Sequence, residues 1–258
     1  MTGALRQLSK AIFAAGDRFL LPQFRGPRIL IYHQIGGGSG LEMEVSPGTF
    51  KKHLDWLVEN GNVVRLEDAS GSDDVVITFD DGYRSVYDVA FPLLEERGMP
   101  FTLFLTTSPL ETGEPLRSHP GGHPLTWDMV REMHDSGLMT VGGHTHTHPD
   151  FRHLSPSEVE EELDRSNGLI EKRLDTQPRY FAYTWGYWSP TADAAVRRRY
   201  EHALLGGPPP FPNVEDPHLL YRIPVQLSDG VRWFSSRIRG GLRWEEAVRR
   251  RLRGYRGP

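Results

Sequence analysis

The 258-residue chain is 38% hydrophobic and 25% charged, which reads as a globular protein long enough for a substantial core. Its 30 basic and 34 acidic residues leave a net charge of −4, which argues against a nucleic-acid partner. The absence of cysteine removes disulfides, thiolate metal sites and cysteine nucleophiles, so a transition metal would have to use His, Asp or Glu.

At the start of the chain, MTGALRQLSKAIFAAGDRFLLPQF places Leu5, Leu8, Ile12, Phe13 and Phe19 at helical spacing. The expectation is a helix over residues 4–20 with its apolar face packed on the domain, the alternative being a helix lying on a membrane surface. Its longest uncharged run, Ala11 to Gly16, is too short for a signal-peptide core, and no ~20-residue apolar span exists. No integral membrane segment is therefore expected, and a cytoplasmic location is.

From about residue 28 to 226, short apolar runs alternate with segments of helical period. The runs are RILIYH, VVITFDD, FTLFLT, TVGGHT, YFAYTW, HALLGG and YRIPV. Between them lie SPGTFKKHLDWLVENG, RSVYDVAFPLLEERG, TWDMVREMHDSG and SPSEVEEELDRSNGLIEKRL, three of them ending on Gly61, Gly98 and Gly137. The last opens with Ser155, Pro156 and Glu158, the pattern of a capping box. Repeated strand–helix units imply a parallel sheet, and about seven strands with two long irregular loops suggest a distorted (β/α)7-8 barrel. The Gly/Pro-rich stretch at 206–217 reads as a loop within the pattern. One domain spanning 1–258 is expected, with a basic C-terminal helix over 242–253; nothing in the sequence fixes its oligomeric state.

In such architectures functional groups gather where strands end. The first run ends on Tyr32 and His33, the second on Asp80 and Asp81, the fourth on GGHTHTHPD, and the fifth on Trp185 and Gly186. His144 and His148, four apart, would share a face of one helical turn and could hold one ion, whereas His146 would point elsewhere; a solvated polar loop is the alternative. Asp80 and Asp81 could cap the helix opening near Tyr83. A turn at Gly82 could instead aim both carboxylates at one point, where a cation would offset their repulsion. A His2Asp set leaves a coordination position open for water, and the second carboxylate could take that water's proton. Spacing alone does not say which aspartate has which role.

Over most of its length the sequence resembles the polysaccharide deacetylases of carbohydrate esterase family 4, which carry the NodB-type domain. TFDDG and HTHTH stand, in order and ~60 residues apart, where that family has its first two motifs. The resemblance implies a TIM-like distorted barrel, a hydrolase acting on a carbohydrate substrate, and Asp80 as the base. It also implies a divalent metal held by Asp81, His144 and His148, zinc by preference with Co, Ni, Fe or Mn as alternatives. The expected reaction releases acetate from an N-acetyl amino sugar of a polysaccharide or glycoconjugate precursor. Related C–N hydrolases, such as a sugar deformylase or cyclic amide hydrolase, and a glycan-binding protein without turnover are the alternatives.

The third motif departs from the family. FAYTWG, resembling a subgroup with Ala-Tyr-Pro-aromatic-Gly there, keeps Trp185 as an aromatic wall and a backbone N–H for an oxyanion, but Ala182 replaces the arginine that pairs with the base. Arg222 in YRIPV, or Arg179, would supply that charge. The family's later Leu-His motif has no clear match, leaving His218 and His33 as candidate acids. Thr145 would brace the histidine loop, while Trp127, Trp185, Tyr187 and Trp188 could stack on sugars.

Overall fold

The computed structural model describes residues 3–21, 26–119, 121–207, 215–252 and 254, with the side chains of residues 3–6 and 18–20 outside that description. The seven apolar runs form seven short parallel strands: β1 (Arg28–Tyr32), β2 (Asp74–Phe79), β3 (Phe101–Leu105), β4 (Met139–Gly143), β5 (Tyr180–Ala182), β6 (His202–Gly206) and β7 (Leu220–Pro224). Each lies beside its chain neighbour, and β1 pairs with both β2 and β7, closing the barrel. Of the expected seven or eight strands, seven therefore make the ring.

The closure is uneven. A two-residue strand, Asn62–Val63, pairs with the first residues of β2, whereas β3 joins β2 only at Thr78 and Phe79. Between β4 and β5 the register is a single pair, Gly143 with Phe181.

The helices cover the outside: α1 (Gly3–Leu20), α2 (Pro47–Asn60), α3 (Phe91–Glu95), α4 (Thr107–Thr112), α5 (Trp127–Asp135), α6 (Pro156–Leu174), α7 (Pro190–Arg199), α8 (Val231–Ile238) and α9 (Arg243–Leu252). Ser46 caps α2, Thr126 caps α5, and Ser155 with Glu158 forms the capping box that the sequence announces for α6. The segment expected as one helix from Arg84 to Gly98 instead begins with a π-turn, Val86–Ala90, before α3. Pro92 has no N–H to give to Asp88, and the wider turn, with Phe91 N–H bonded to Val86 O, accommodates it. Helices α4, α7 and α8 were not expected from the sequence. The loop read at 206–217 falls partly on residues 208–214, outside the described residues.

Strand alternation sorts the core into two layers. Leu30, Tyr32, Val75, Ile77, Phe79 and Val141 pack outward against the helices. Ile29, Val76, Phe104, Tyr180, Ala182 and Leu204 form a separate, inner cluster. Gly142 makes room for it, because a Cβ there would lie 2.4 Å from Phe104 Cδ1. By the same parity Thr78, Asp80, His144 and Arg222 belong to the inner set, above this apolar plug.

The N-terminal helix departs from expectation in its facing. Leu8 and Ile12, read as part of its inward face, are exposed, while Lys10 and Asp17 are buried. Lys10 Nζ reaches Asp229 and, at 2.7 Å, Ser228 Oγ; Asp17 accepts the Arg243 N–H at 2.5 Å, tying α1 to the start of α9. The ionic partners on the domain, rather than the apolar period, set the helix's rotation. The Leu5 and Phe19 side chains lie outside the described residues.

Candidate metal centre

At the C-terminal end of the barrel, β2 and the loop after β4 bring Asp80, Asp81, His144 and His148 together. Parity alone would send Asp81 outward beside Phe79. Its backbone sits at φ 72°, in the left-handed region, and this turns the carboxylate back toward the axis. Thr145, His148 and Trp185 also have positive φ, at 70°, 62° and 61°. Four of the six non-glycine residues with positive φ among the described residues thus surround one point, and strain concentrated in this way marks a site where placement of side chains outweighs local comfort.

His144 Nδ1 donates to Ala182 O at 2.7 Å, which leaves Nε2 free to face inward. His144 Nε2 and His148 Nε2 lie 3.3 and 3.2 Å from the same atom, Asp81 Oδ1. That oxygen is buried and has no hydrogen-bond partner. One ligand atom from each of the three residues falls within 4.8 Å of the other two. A buried acceptor facing two imidazole nitrogens is a donor set suited to a divalent cation. Burial would raise the pKa of Asp81, but the His148 and His144 side chains hold it well below the usual carboxylate range. Helix geometry does not bring the histidines together, as the four-residue spacing suggests; residues 144–148 form a bent loop with left-handed turns at Thr145 and His148.

That loop is braced from three sides. Thr145 Oγ1 accepts the His148 N–H at 3.0 Å. Glu162 of α6 accepts the N–H groups of His146 and Thr147 at 2.9 and 2.8 Å. His146 turns away from the centre, its Nδ1 lying 2.9 Å from Thr107 Oγ1.

Asp80 faces the inside of the barrel, where Arg222 meets it with two hydrogen bonds of 2.6 and 2.7 Å. Arg222 is wholly buried, lies over the Phe104 ring, and also donates to Thr78 Oγ1 at 3.1 Å. Burial pushes the Asp80 pKa up, yet the charges of Arg222 and His144 more than compensate and hold it below its ordinary value. Arg179, the other candidate partner, pairs instead with Glu201 on the surface. Neither aspartate caps the following helix.

Of the two histidines considered as acids, His33 lies within electrostatic range of Asp80 and Asp81 and His218 does not. His33 is half-buried at the end of β1; its pKa is lowered by burial, against the opposing pull of Asp81 and Asp80. His218 precedes β7 at the opposite end of the strands, with Nε2 2.8 Å from Tyr200 O. Among the four aromatic candidates, Trp185 is half-exposed with its ring 5.1 Å from that of His148. Trp127 donates to Glu111, Trp188 donates to Asp193, and Tyr187 lies under the Arg152 guanidinium.

Sequence reasoning passed over Tyr83. Its hydroxyl is buried without a partner of ordinary hydrogen-bond length, and burial together with the Asp81 charge pushes its pKa up. The loop before α5 clamps it there. Arg84 N–H bonds to His123 O at 2.8 Å, His119 meets the ring edge-on at 5.4 Å, and a Cβ on Gly122 would lie 2.3 Å from Tyr83 Cε1. His119 in turn contacts Gln34, next to His33, at 2.6 Å. Nothing in the sequence signals that Tyr83 and Gly122 meet.

The family model described as "Polysaccharide deacetylase" matches residues 67–201, which include Asp80, Asp81, His144, His148 and Trp185 but neither His33 nor Arg222. YxkH of Bacillus subtilis, named provisionally as a polysaccharide deacetylase, is 28% identical over 208 residues, covering 76% of this chain and 70% of the relative. A poly-beta-1,6-N-acetyl-D-glucosamine N-deacetylase of Staphylococcus epidermidis is 28% identical over 120 residues, 43% of this chain and 40% of that protein. Among solved structures, IcaB from Ammonifex degensii superposes with a TM-score of 0.70 at 25% identity, covering 84% of this chain and 97% of the other. A polysaccharide deacetylase from Bacillus cereus gives 0.71 at 23% identity, over 84% and 69% of the two chains.

Proposed function

The chain belongs to the polysaccharide deacetylase family, and from that premise we propose that it hydrolyses the N-acetyl amide of an amino sugar in a polysaccharide or glycoconjugate precursor, with a divalent metal at Asp81, His144 and His148. The observation that carries this reading is Asp81 Oδ1, buried, without a hydrogen bond and faced by two imidazole nitrogens. Zinc suits a set of two imidazoles and one carboxylate, with Co, Ni, Fe and Mn as competitors. When bound, the cation would polarise the acyl carbonyl and acidify water. The chain's own groups do the rest. Asp80, kept ionised and oriented by Arg222, accepts the proton of the attacking water. That same proton passes, from Asp80 directly or by way of His33, to the sugar nitrogen as the C–N bond breaks. Trp185 offers a ring for stacking and its backbone N–H for the developing oxyanion. The products are acetate and a free amine.

Relatives named for poly-beta-1,6-N-acetyl-D-glucosamine make β-1,6-linked N-acetylglucosamine oligomers the first substrate to test. The binding-protein alternative rested on a missing arginine and histidine; the paired hydrogen bonds from Arg222 to Asp80 support turnover instead. Metal-loaded protein is expected to release acetate from the oligomers and to act less on N-formyl and cyclic-imide compounds. Asp80→Asn should keep its metal and lose more than about a hundredfold in rate. Full metal loading without hydrolysis of any N-acetyl sugar, or an Asp80→Asn variant as fast as the parent, would refute the proposal.

A further inference from the structure

The two terminal helices pack on each other, and both turn apolar residues to solvent. On α1 the exposed positions are Gln7, Leu8, Ile12 and Ala15, with Leu8 58% and Ile12 65% exposed. On α9 they are Trp244, Val248, Arg251 and Leu252, the last 84% exposed. The spacing of these positions is that of one helix face, so each helix carries an apolar stripe on its outer side. Ordinary packing does the reverse, and here the inner sides hold Lys10, Asp17, Arg243, Glu245 and Glu246. Five of the nine exposed large hydrophobic residues among the described residues lie on these two helices.

Charge identifies what covers them. The carboxylates of α9, Glu245 and Glu246, are buried, whereas Arg251 is exposed; Arg249 is half-buried and turned to Glu245 and Gln226. The sequence continues with Arg253 and Arg256 and no acidic residue. A second copy of the chain would bring arginines against arginines, whereas an anionic surface would neutralise them. Apolar residues rimmed by arginine on a helix lying flat are what the headgroup region of a bilayer accepts. Among the described residues no helix is long and apolar enough to cross a membrane, so the helices would lie on it.

We propose that α1 and α9 together form a docking face for an anionic lipid bilayer. Helix α9 attaches at the end of the barrel that carries the candidate metal centre. Arg250 of α9 donates to Gly207 O, just past the end of β6, and Gly206 packs against Gly186, the neighbour of Trp185. Docking through α9 would therefore hold the rim of the barrel's open end near the membrane, where a glycan or glycolipid could be met.

Co-sedimentation of the full chain with vesicles tests this without any dependence on hydrolysis. Vesicles of phosphatidylcholine with phosphatidylglycerol should retain the protein, phosphatidylcholine alone should not, and about 0.5 M salt should weaken retention. Replacing Leu8, Ile12, Val248 and Leu252 by Gln should lower the partition coefficient at least tenfold while leaving the thermal midpoint unchanged. Arg251→Gln alone should cost about fivefold on anionic vesicles. The proposal is overturned if the protein ignores anionic vesicles or if the fourfold variant binds like the parent. It is equally overturned if light scattering shows a dimer that the same variant splits.

Discussion

Asp229 and Asp81 are both buried carboxylates set among nitrogen-bearing side chains, yet every oxygen of Asp229 is hydrogen-bonded, whereas Oδ1 of Asp81 faces two imidazole nitrogens without a hydrogen bond. Lys10 meets Asp229 Oδ1, and Oδ2 accepts from Arg237 Nε at 2.8 Å and from the Gln226 N–H at 3.0 Å. Arg237 continues to Glu245 at 2.8 Å, and the Asp229 backbone carbonyl meets His53 Nε2 at 2.9 Å. This cluster joins α1, α2, α8 and α9 and is complete in itself. Asp81 also has a left-handed backbone, whereas Asp229 is not among the residues with positive φ. A satisfied buried network fixes how elements pack; an unsatisfied one on a strained backbone is arranged for something that arrives later.

The largest expected effect comes from breaking the complete cluster. Asp229→Ala would leave Lys10 and Arg237 buried without their shared partner, a loss of about 3–5 kcal/mol. Thermal unfolding should register it as a fall of roughly 10 °C, with metal affinity of the folded fraction unchanged. A smaller effect follows from pH. His53 is held neutral between Tyr32 and Asp229, and burial lowers its pKa from 6.5 to about 4. Between those values the unfolded chain holds the proton and the folded one does not, so stability falls as pH drops from 6.5 to 4. The loss is about 3 kcal/mol, and His53→Gln should flatten that slope in denaturant titrations.

At the candidate metal centre, Glu162→Ala removes the brace on the histidine loop without touching Asp81, His144 or His148. Competition with a chelator should show metal binding weakened by roughly tenfold, with little change in the metal-free midpoint. Smallest of all is the exposed Arg179–Glu201 pair, where Arg179→Ala should alter neither stability nor metal binding measurably. A strong effect there would blur the distinction between the clusters.

The barrel was legible because its strands are continuous apolar runs and α2, α5 and α6 begin on Ser or Thr caps. The clustering of Asp81, His144 and His148 was legible because they stand at the ends of two strands, where the loops of a barrel converge. What stayed hidden depended on distance or backbone twist. The left-handed turns at Asp81, Thr145 and His148 have no composition signal in non-glycine residues. Tyr83 is placed by a loop some forty residues further on, and Lys10 by Asp229 more than two hundred residues away. The rotation of α1 was misjudged for the same reason, since a buried salt bridge outweighed the apolar period.

Titration of the metal-free protein with zinc, followed by calorimetry and by thermal unfolding, tests the central contrast most directly. The parent should bind one equivalent and gain about 2.7 kcal/mol at a hundredfold excess over the dissociation constant. Asp81→Asn should be as stable as the parent without metal and gain nothing from zinc. Stoichiometric binding retained in Asp81→Asn, or none in the parent, would contradict the assignment.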